Sequence, residues 1–299
     1  MEGLIRDRER EIILKNMVQK LKKQEFEQKC AREKGAETVW RRGEIMGAHL
    51  WCYHFVPRTM ELAKRYIENC YFLRQTPYSG AVFIAQTLNQ AQGRYARKWY
   101  ALSGGLWFSF IIYPEVESPY IHLYPLVLGI ACCEALREIG INVYIKWVND
   151  LVFNRHKVGG ILGETYLSSQ KEAYLIFGIG INVNNTLPST LDIPAISLKE
   201  IIGKELNIDL LFSLILIKLI WYIGLVHEAE VKKETHKIID VWLKYTNILG
   251  QKMYYAEDLK MDKKTEVEIL GLDPYGGLIV CFCDTEKRET VYSGELAYI

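Results

Sequence analysis

From residue 142 to residue 184 three apolar runs follow one another, NVYIKWVNDLVF, KVGGILGETYL and AYLIFGIGINVN, with connections as short as the Asn154-Arg155-His156 turn. Parallel strands need a long crossover, whereas strands joined by a few residues fold back on their neighbours. The stretch therefore predicts an antiparallel meander. Upstream, TMELAKRYIEN predicts a helix opening near Thr59, GAVFIAQTL a strand after the turn TPYSG, and GGLWFSFIIYP a strand ended by Pro114. LYPLVLGIACCEALREIG reads as a buried helix closed by Gly140. LLFSLILIKLIWYIGLV, Leu210 to Val226, is a little short for a membrane span and carries Lys218 near its middle. It follows Asn207 and Asp209, which suit the start of a soluble helix, so a buried helix and no membrane are expected.

After Gly250 the period shortens to KMYYA, TEVEILGL, GGLIVCFC and RETVYSGELAYI, with the turn DPYGG between two of them. That pattern predicts a small all-β barrel. At the other end the first 46 residues are charge-rich, and Ile13, Met17 and Leu21 at fourfold spacing predict an amphipathic surface helix. Gly35 comes too late to supply the tight turn of a helix-turn-helix, which argues against DNA as a partner. The expected organisation is a charged helical extension over 1–46, a catalytic domain over 47–249 and a small C-terminal β barrel over 250–299. The fold class is α+β, a mixed and largely antiparallel sheet flanked by helices.

Composition narrows the functions. A net charge of +1 over 299 residues gives no bulk field for sequence-independent nucleic-acid binding, so any basic site is local. The seven cysteines are odd in number and irregularly spaced, and the charged start lacks the apolar stretch of a signal peptide, which fits a reducing cytoplasm. Cys132-Cys133 and the pair Cys281 and Cys283 have neither CxxC partners nor a histidine cluster, and buried free thiols explain them better than metal chemistry. There is no GxxxxGK[ST], HExxH or GxSxG, and GIGINVN lacks the third glycine of a dinucleotide fingerprint.

The chemistry lies in polar residues set into apolar strands, because an unpaired buried charge costs several kcal/mol. Lys146 stands between Ile145 and Trp147, Asn149 and Asp150 follow it, Lys157 opens the next run ahead of Gly159-Gly160, and Asn182 ends the third. In a meander these positions converge into a cleft with two cations, a carboxylate and two amides. The loop QAQGRYARKWY adds Arg94, Arg97 and Lys98 with Trp99 behind them, and such a set suits a polyphosphate with an aromatic base.

At these residues the chain resembles the biotin protein ligases. KWVNDLVFNRHKVGGILGE is similar to their KWPND...KxxGIL signature, GIGINVN and GGLWFS to two further blocks, and LDPYGGLIV with VYSGELAYI to their C-terminal small barrel, in order from about Gly47 to Ile299. The resemblance implies the class II aminoacyl-tRNA synthetase and biotin ligase-like catalytic fold. It implies ATP and biotin as substrates with Mg2+, and a cytoplasmic enzyme. It also implies a two-step reaction: biotin and ATP form biotinyl-5'-AMP, and the biotinyl group passes to a lysine of a biotin carboxyl carrier protein of acetyl-CoA carboxylase or another biotin-dependent carboxylase. By the same resemblance Lys157, Asp150, Arg94 and Arg97 are catalytic, and Thr59, Gly93, Arg94, Lys157 and Gly160 hold biotin. Arg97, Trp99, Asn149, Asn182 and Lys146 hold ATP or the adenylate, with bracing of Asp150 the favoured role for Lys146. No side-chain cluster holds a metal, and Mg2+ is expected near Asp150. The family also forms homodimers beside the adenylate loop, and the apolar IIYP allows one here.

The chain departs from the family pattern at several points. AQGRYARKW stands where GRGRxGRxW is usual, so Ala91 and Gln92 replace a glycine and an arginine. Leu88 falls where a glutamine is usual, Arg58-Thr59-Met60 replaces Ser-Thr-Asn, Ala101-Leu102 replaces Ser-Pro, and Val148 replaces the proline of KWPND. These substitutions fall on the biotin half of the site more than on the ATP half. Two other readings remain beside the first: an adenylate-forming ligase for lipoate or a fatty acid, and a non-catalytic biotin- or nucleotide-binding regulator.

Overall fold

The computed structural model describes residues 4–188, 190–191 and 193–299. The chain opens with helices α1 (Arg8–Arg32) and α2 (Ala36–Gly43), then strand β1 (Leu50–Val56), α3 (Thr59–Phe72), β2 (Val82–Leu88), β3 (Leu106–Ile112), the short α4 (Ser118–Ile121) and α5 (Leu123–Glu138). The meander follows as β4 (Tyr144–Lys146), β5 (Asp150–Phe153), β6 (His156–Leu167) and β7 (Ala173–Ile181). Helices α6 (Leu198–Ile202), α7 (Ile208–Lys232) and α8 (His236–Lys244) lead to β8 (Lys252–Ala256), β9 (Thr265–Leu272), β10 (Leu278–Phe282), β11 (Arg288–Val291) and β12 (Glu295–Tyr298).

The large sheet has the order β1-β2-β3-β7-β6-β5-β4, antiparallel except for the parallel pair β1 and β2, which α3 connects. Helix α3 covers one face against β2, β3 and β7. On the other face α5 packs on β4, β5 and β6, and α7 packs on α5 while setting Phe212 edge-on against Phe108 of β3, ring centres 5.2 Å apart. Strands such as β3 are buried along their whole length because helices lie on both sides, which explains their unbroken apolar runs. The C-terminal strands form a second, antiparallel sheet in the order β11-β10-β9-β8-β12, with β11 and β12 at its two edges.

Three local expectations change. NVYIKWVNDLVF is a hairpin of β4 and β5 and not one strand, so Lys146 and Asp150 face each other across it. RETVYSGELAYI divides at Gly294, whose φ of +111° is open to glycine alone, into β11 and β12. In α1 the buried stripe runs through Glu11, Leu14 and Val18, while Ile13 is exposed. The stripe was hidden because it includes charges: Glu11 accepts from the Cys52 backbone N–H at 3.0 Å and pairs with Arg6, and Glu25 meets Lys218 of α7 at 2.8 Å.

Lys218 also explains the charge in the apolar α7 run. Its ammonium group is buried beside Glu25, Glu134 and Glu138. Burial alone would lower its pKa, and the three carboxylates outweigh that and raise it above the ordinary lysine value. α7 and the span 118–138 are both apolar and long enough to cross a membrane, yet each is 72% buried within this core.

Candidate active site

One cavity of about 420 Å³ opens where the start of α3, the middle strands of the large sheet, the loop after β2 and the edge strand β12 of the second sheet meet. Every site residue expected from the sequence lines it: Thr59, Gly93, Arg94, Arg97, Trp99, Lys146, Asn149, Asp150, Lys157, Gly160 and Asn182. Their convergence follows from the register, since Lys146 lies opposite Asp150, Asp150 opposite Gly160, and Gly160 opposite Gly180.

At its centre the Asp150 carboxylate bridges two ammonium groups, Lys157 Nζ at 2.5 Å from Oδ1 and Lys146 Nζ at 2.9 Å from Oδ2. Burial would push this carboxyl up, but the two lysines prevail and hold it well below the usual carboxylate range. Lys146 also donates to the Leu296 carbonyl at 3.0 Å, so it braces Asp150 and ties the hairpin to β12. Lys157 lies under the Trp99 ring, its Nζ 5.3 Å from the centroid, and so stands between an anion and an indole face.

The glycines on the strands are there for clearance. A Cβ on Gly180 would stand 3.2 Å from Trp99 Nε1, and one on Gly178 would stand 2.9 Å from Met60 Sδ. The glycines of GIGIN thus let Trp99 and Met60 lie flat on β7, and this is their role in place of a dinucleotide turn. Trp99 Nε1 is buried with no hydrogen-bond partner, a donor left over at the cavity wall.

Other expected residues are already committed. Asn149 donates to the Ile161 carbonyl at 2.8 Å, Asn182 accepts from Asn185 Nδ2 at 3.2 Å, and Thr59 bonds the buried Ser109 hydroxyl at 2.6 Å. They shape the walls. Arg97, expected at a phosphate, forks onto Glu295 of β12 and Asp258 in the connection after β8. Arg94 donates to the Gly294 carbonyl at 2.5 Å. Both arginines line the cavity, and both are held by the second sheet.

The loop itself is a small hairpin, with Gln92 bridged to Lys98 and Gly93 N–H bonded to the Arg97 carbonyl at 2.8 Å. Its tip places Tyr95 and Ala96 at φ of +53° and +54°, a left-handed conformation that disfavours side chains.

Sequence reasoning did not foresee Gly294, Glu295 and Leu296 in the cavity wall, nor the bond of 3.0 Å from Arg58 to Gln92. A side-chain metal site at Asp150 does not fit: both carboxylate oxygens are taken by ammonium groups, and among the described residues no three of His, Cys, Asp and Glu gather to hold an ion.

Fold and site together define an α+β protein with a cleft between a glycine-cleared sheet and an arginine-bearing loop. Residues 55–182 match the model of the biotin/lipoate A/B protein ligase family. The bifunctional ligase/repressor BirA of Bacillus subtilis is 28% identical over 208 residues, which is 64% of this chain and 62% of that protein, so the match spans about three fifths of the relative's length. BirA of Escherichia coli is 33% identical over 107 residues, 35% of this chain and 33% of that protein. The solved biotin protein ligase from Aquifex aeolicus in complex with biotin and ATP superposes with a TM-score of 0.69 at 29% identity, covering 84% of this chain and 100% of that one.

Proposed function

We propose that this chain is a biotin protein ligase, forming biotinyl-5'-AMP from biotin and ATP and passing the biotinyl group to a lysine of a biotin carboxyl carrier protein. The observation that carries this reading is Lys157, whose ammonium is fixed by Asp150 at 2.5 Å beneath the Trp99 indole in a cavity that all the expected site residues line. The Aquifex relative that covers the fold was solved with biotin and ATP.

In the first step a biotin carboxylate oxygen attacks the α-phosphorus of ATP and pyrophosphate leaves. Negative charge grows on oxygens between the two reactants, and Lys157 is the fixed cation placed to meet it without reorganisation. Asp150 is a weak base with both oxygens occupied, so it acts by aiming Lys157 and accepts no proton. In the second step the carrier amine, ordinarily protonated with a pKa near 10.4, loses its proton and attacks the acyl carbon, and AMP leaves. Magnesium enters with the ATP phosphates as part of the substrate, because the chain offers it no free carboxylate at Asp150. Trp99 provides the flat apolar surface for the base, and Arg94 and Arg97 reach the phosphate on release from the second sheet.

The test is ATP-dependent transfer of labelled biotin to a carrier domain, run beside pyrophosphate exchange with biotin, lipoate and a fatty acid. Exchange driven by another acid and not by biotin would overturn the choice of substrate. Binding without exchange would make the protein a regulator.

A further inference from the structure

We propose that Arg58 is a positioning residue that latches the loop hairpin over the cavity, and so sets how long an acyl adenylate is retained; the second half rests on the ligase reading above. Arg58 precedes α3 in extended backbone, φ -149° and ψ 134°, and its side chain is turned along the cavity mouth. One nitrogen of its guanidinium donates to Gln92 Oε1 in the loop at 3.0 Å, and the other donates to Glu164 Oε1 on β6 at 3.1 Å. Lys64 holds the second oxygen of Glu164 at 2.9 Å. A chain of contacts thus runs from α3 and β6 through one planar cation to the loop.

The two ends of this chain differ in kind. Arg58 and Glu164 form an ion pair that is only partly exposed and is supported by Lys64, so the cation stays seated on the sheet. Towards the loop the acceptor is an uncharged amide, which forms one hydrogen bond that is strong enough to bias the hairpin and weak enough to break. The tip of the same hairpin is held by a different body, through Arg94, Arg97 and the Tyr95 hydroxyl on the Glu257 carbonyl. The base of the hairpin is fixed to the large-sheet body by the Gln90 N–H on the Pro57 carbonyl at 3.0 Å and by Trp99 on β7, and Gln92 is the side-chain tie between these anchors and the tip, so its release opens the side of the cavity facing β6.

Limited trypsin digestion reads the latch without reference to chemistry, because the hairpin carries Arg94, Arg97 and Lys98 as cleavage sites. Gln92→Ala, which leaves α3 untouched, and Arg58→Gln should each raise the rate of cleavage at these sites roughly tenfold, the loss of one charged hydrogen bond. The double variant should do no more than either single one. Arg58→Lys with Gln92→Glu, which replaces the hydrogen bond with an ion pair, should restore protection. In the same proteins, ATP- and biotin-dependent labelling of bystander proteins should rise with the cleavage rate. Unchanged cleavage in Gln92→Ala, or additive effects in the double variant, overturns the latch. Faster cleavage with adenylate formed and labelling unchanged overturns its role in retention. If the wild type forms no adenylate at all, the ligase reading fails while the cleavage series still decides the latch.

Discussion

Replacing Asp150 by asparagine keeps the shape of the side chain and removes the charge that two lysines share. Asp150, Lys146 and Lys157 are 13%, 12% and 20% exposed, so solvent does little to screen the two contacts of 2.9 and 2.5 Å. Breaking a buried ion pair by removing one partner costs about 3–5 kcal/mol. The amide oxygen still accepts one hydrogen bond and returns about 1 kcal/mol. The expected loss is about 3 kcal/mol, which for a chain of this size lowers the melting temperature by roughly 5 °C. The sign of the pH dependence follows from the depressed carboxyl: its contribution is full above the unfolded value of about 3.9 and fades only as pH falls through the lower folded value. Urea unfolding of both proteins at pH 8, 6.5 and 5 should then give a constant difference. A difference under about 1 kcal/mol, or one that already shrinks between pH 7 and 5, would refute the picture of a doubly paired anion.

Lys157→Ala should cut pyrophosphate exchange by about a hundredfold or more while far-ultraviolet circular dichroism stays unchanged, as expected for loss of a fixed cation at a reacting phosphate; retained exchange would remove Lys157 from its role. Gly180→Ala should lift Trp99 off β7, given the 3.2 Å approach of the added Cβ, and weaken ATP binding measured by calorimetry with little change in melting temperature. Lys218→Met should cost about 3 kcal/mol in chemical unfolding and speed amide exchange in α1, since it leaves Glu25 and Glu134 without their cation. A cost near zero would mean that these carboxylates are well solvated.

How far the sequence could be read depends on which residue carries each feature. The meander and its polar insertions were legible because side-chain identity and strand period carry them: Lys146, Asp150 and Lys157 had to find partners, and they found one another. The hairpin inside NVYIKWVNDLVF was not legible, because its turn, Trp147-Val148-Asn149, carries neither glycine nor proline. β1 also escaped notice. LWCYHFV mixes buried and exposed positions without alternation, since its outer edge is met by the N-terminal segment, with Asp7 N–H on the Cys52 carbonyl at 2.8 Å and an isolated bridge between Arg6 and Tyr53. Arg58 and Gln92 were each visible as departures from the family motif. Their pairing across 34 positions was not, because no local pattern relates them.

The C-terminal sheet is the strongest case, because the sequence places it as an appendage and the structure makes it a wall of the site. Three of its links to the loop and the hairpin run to main-chain carbonyls, those of Gly294, Glu257 and Leu296. A carbonyl is present at every position, so no residue type announces these contacts. Glu295 and Asp258, which grip Arg97, do so by side chains, yet two acids among a chain's 36 carry no signal until geometry selects them. The consequence is chemical. On the ligase reading proposed above, a phosphate at Arg97 would compete with Glu295 and Asp258 for the same guanidinium, so ligand binding there would work against the hold of the second sheet on the loop. A loop released in this way would keep its tie to the large sheet through Arg58, because the base and the tip of the hairpin are held by different parts of the molecule.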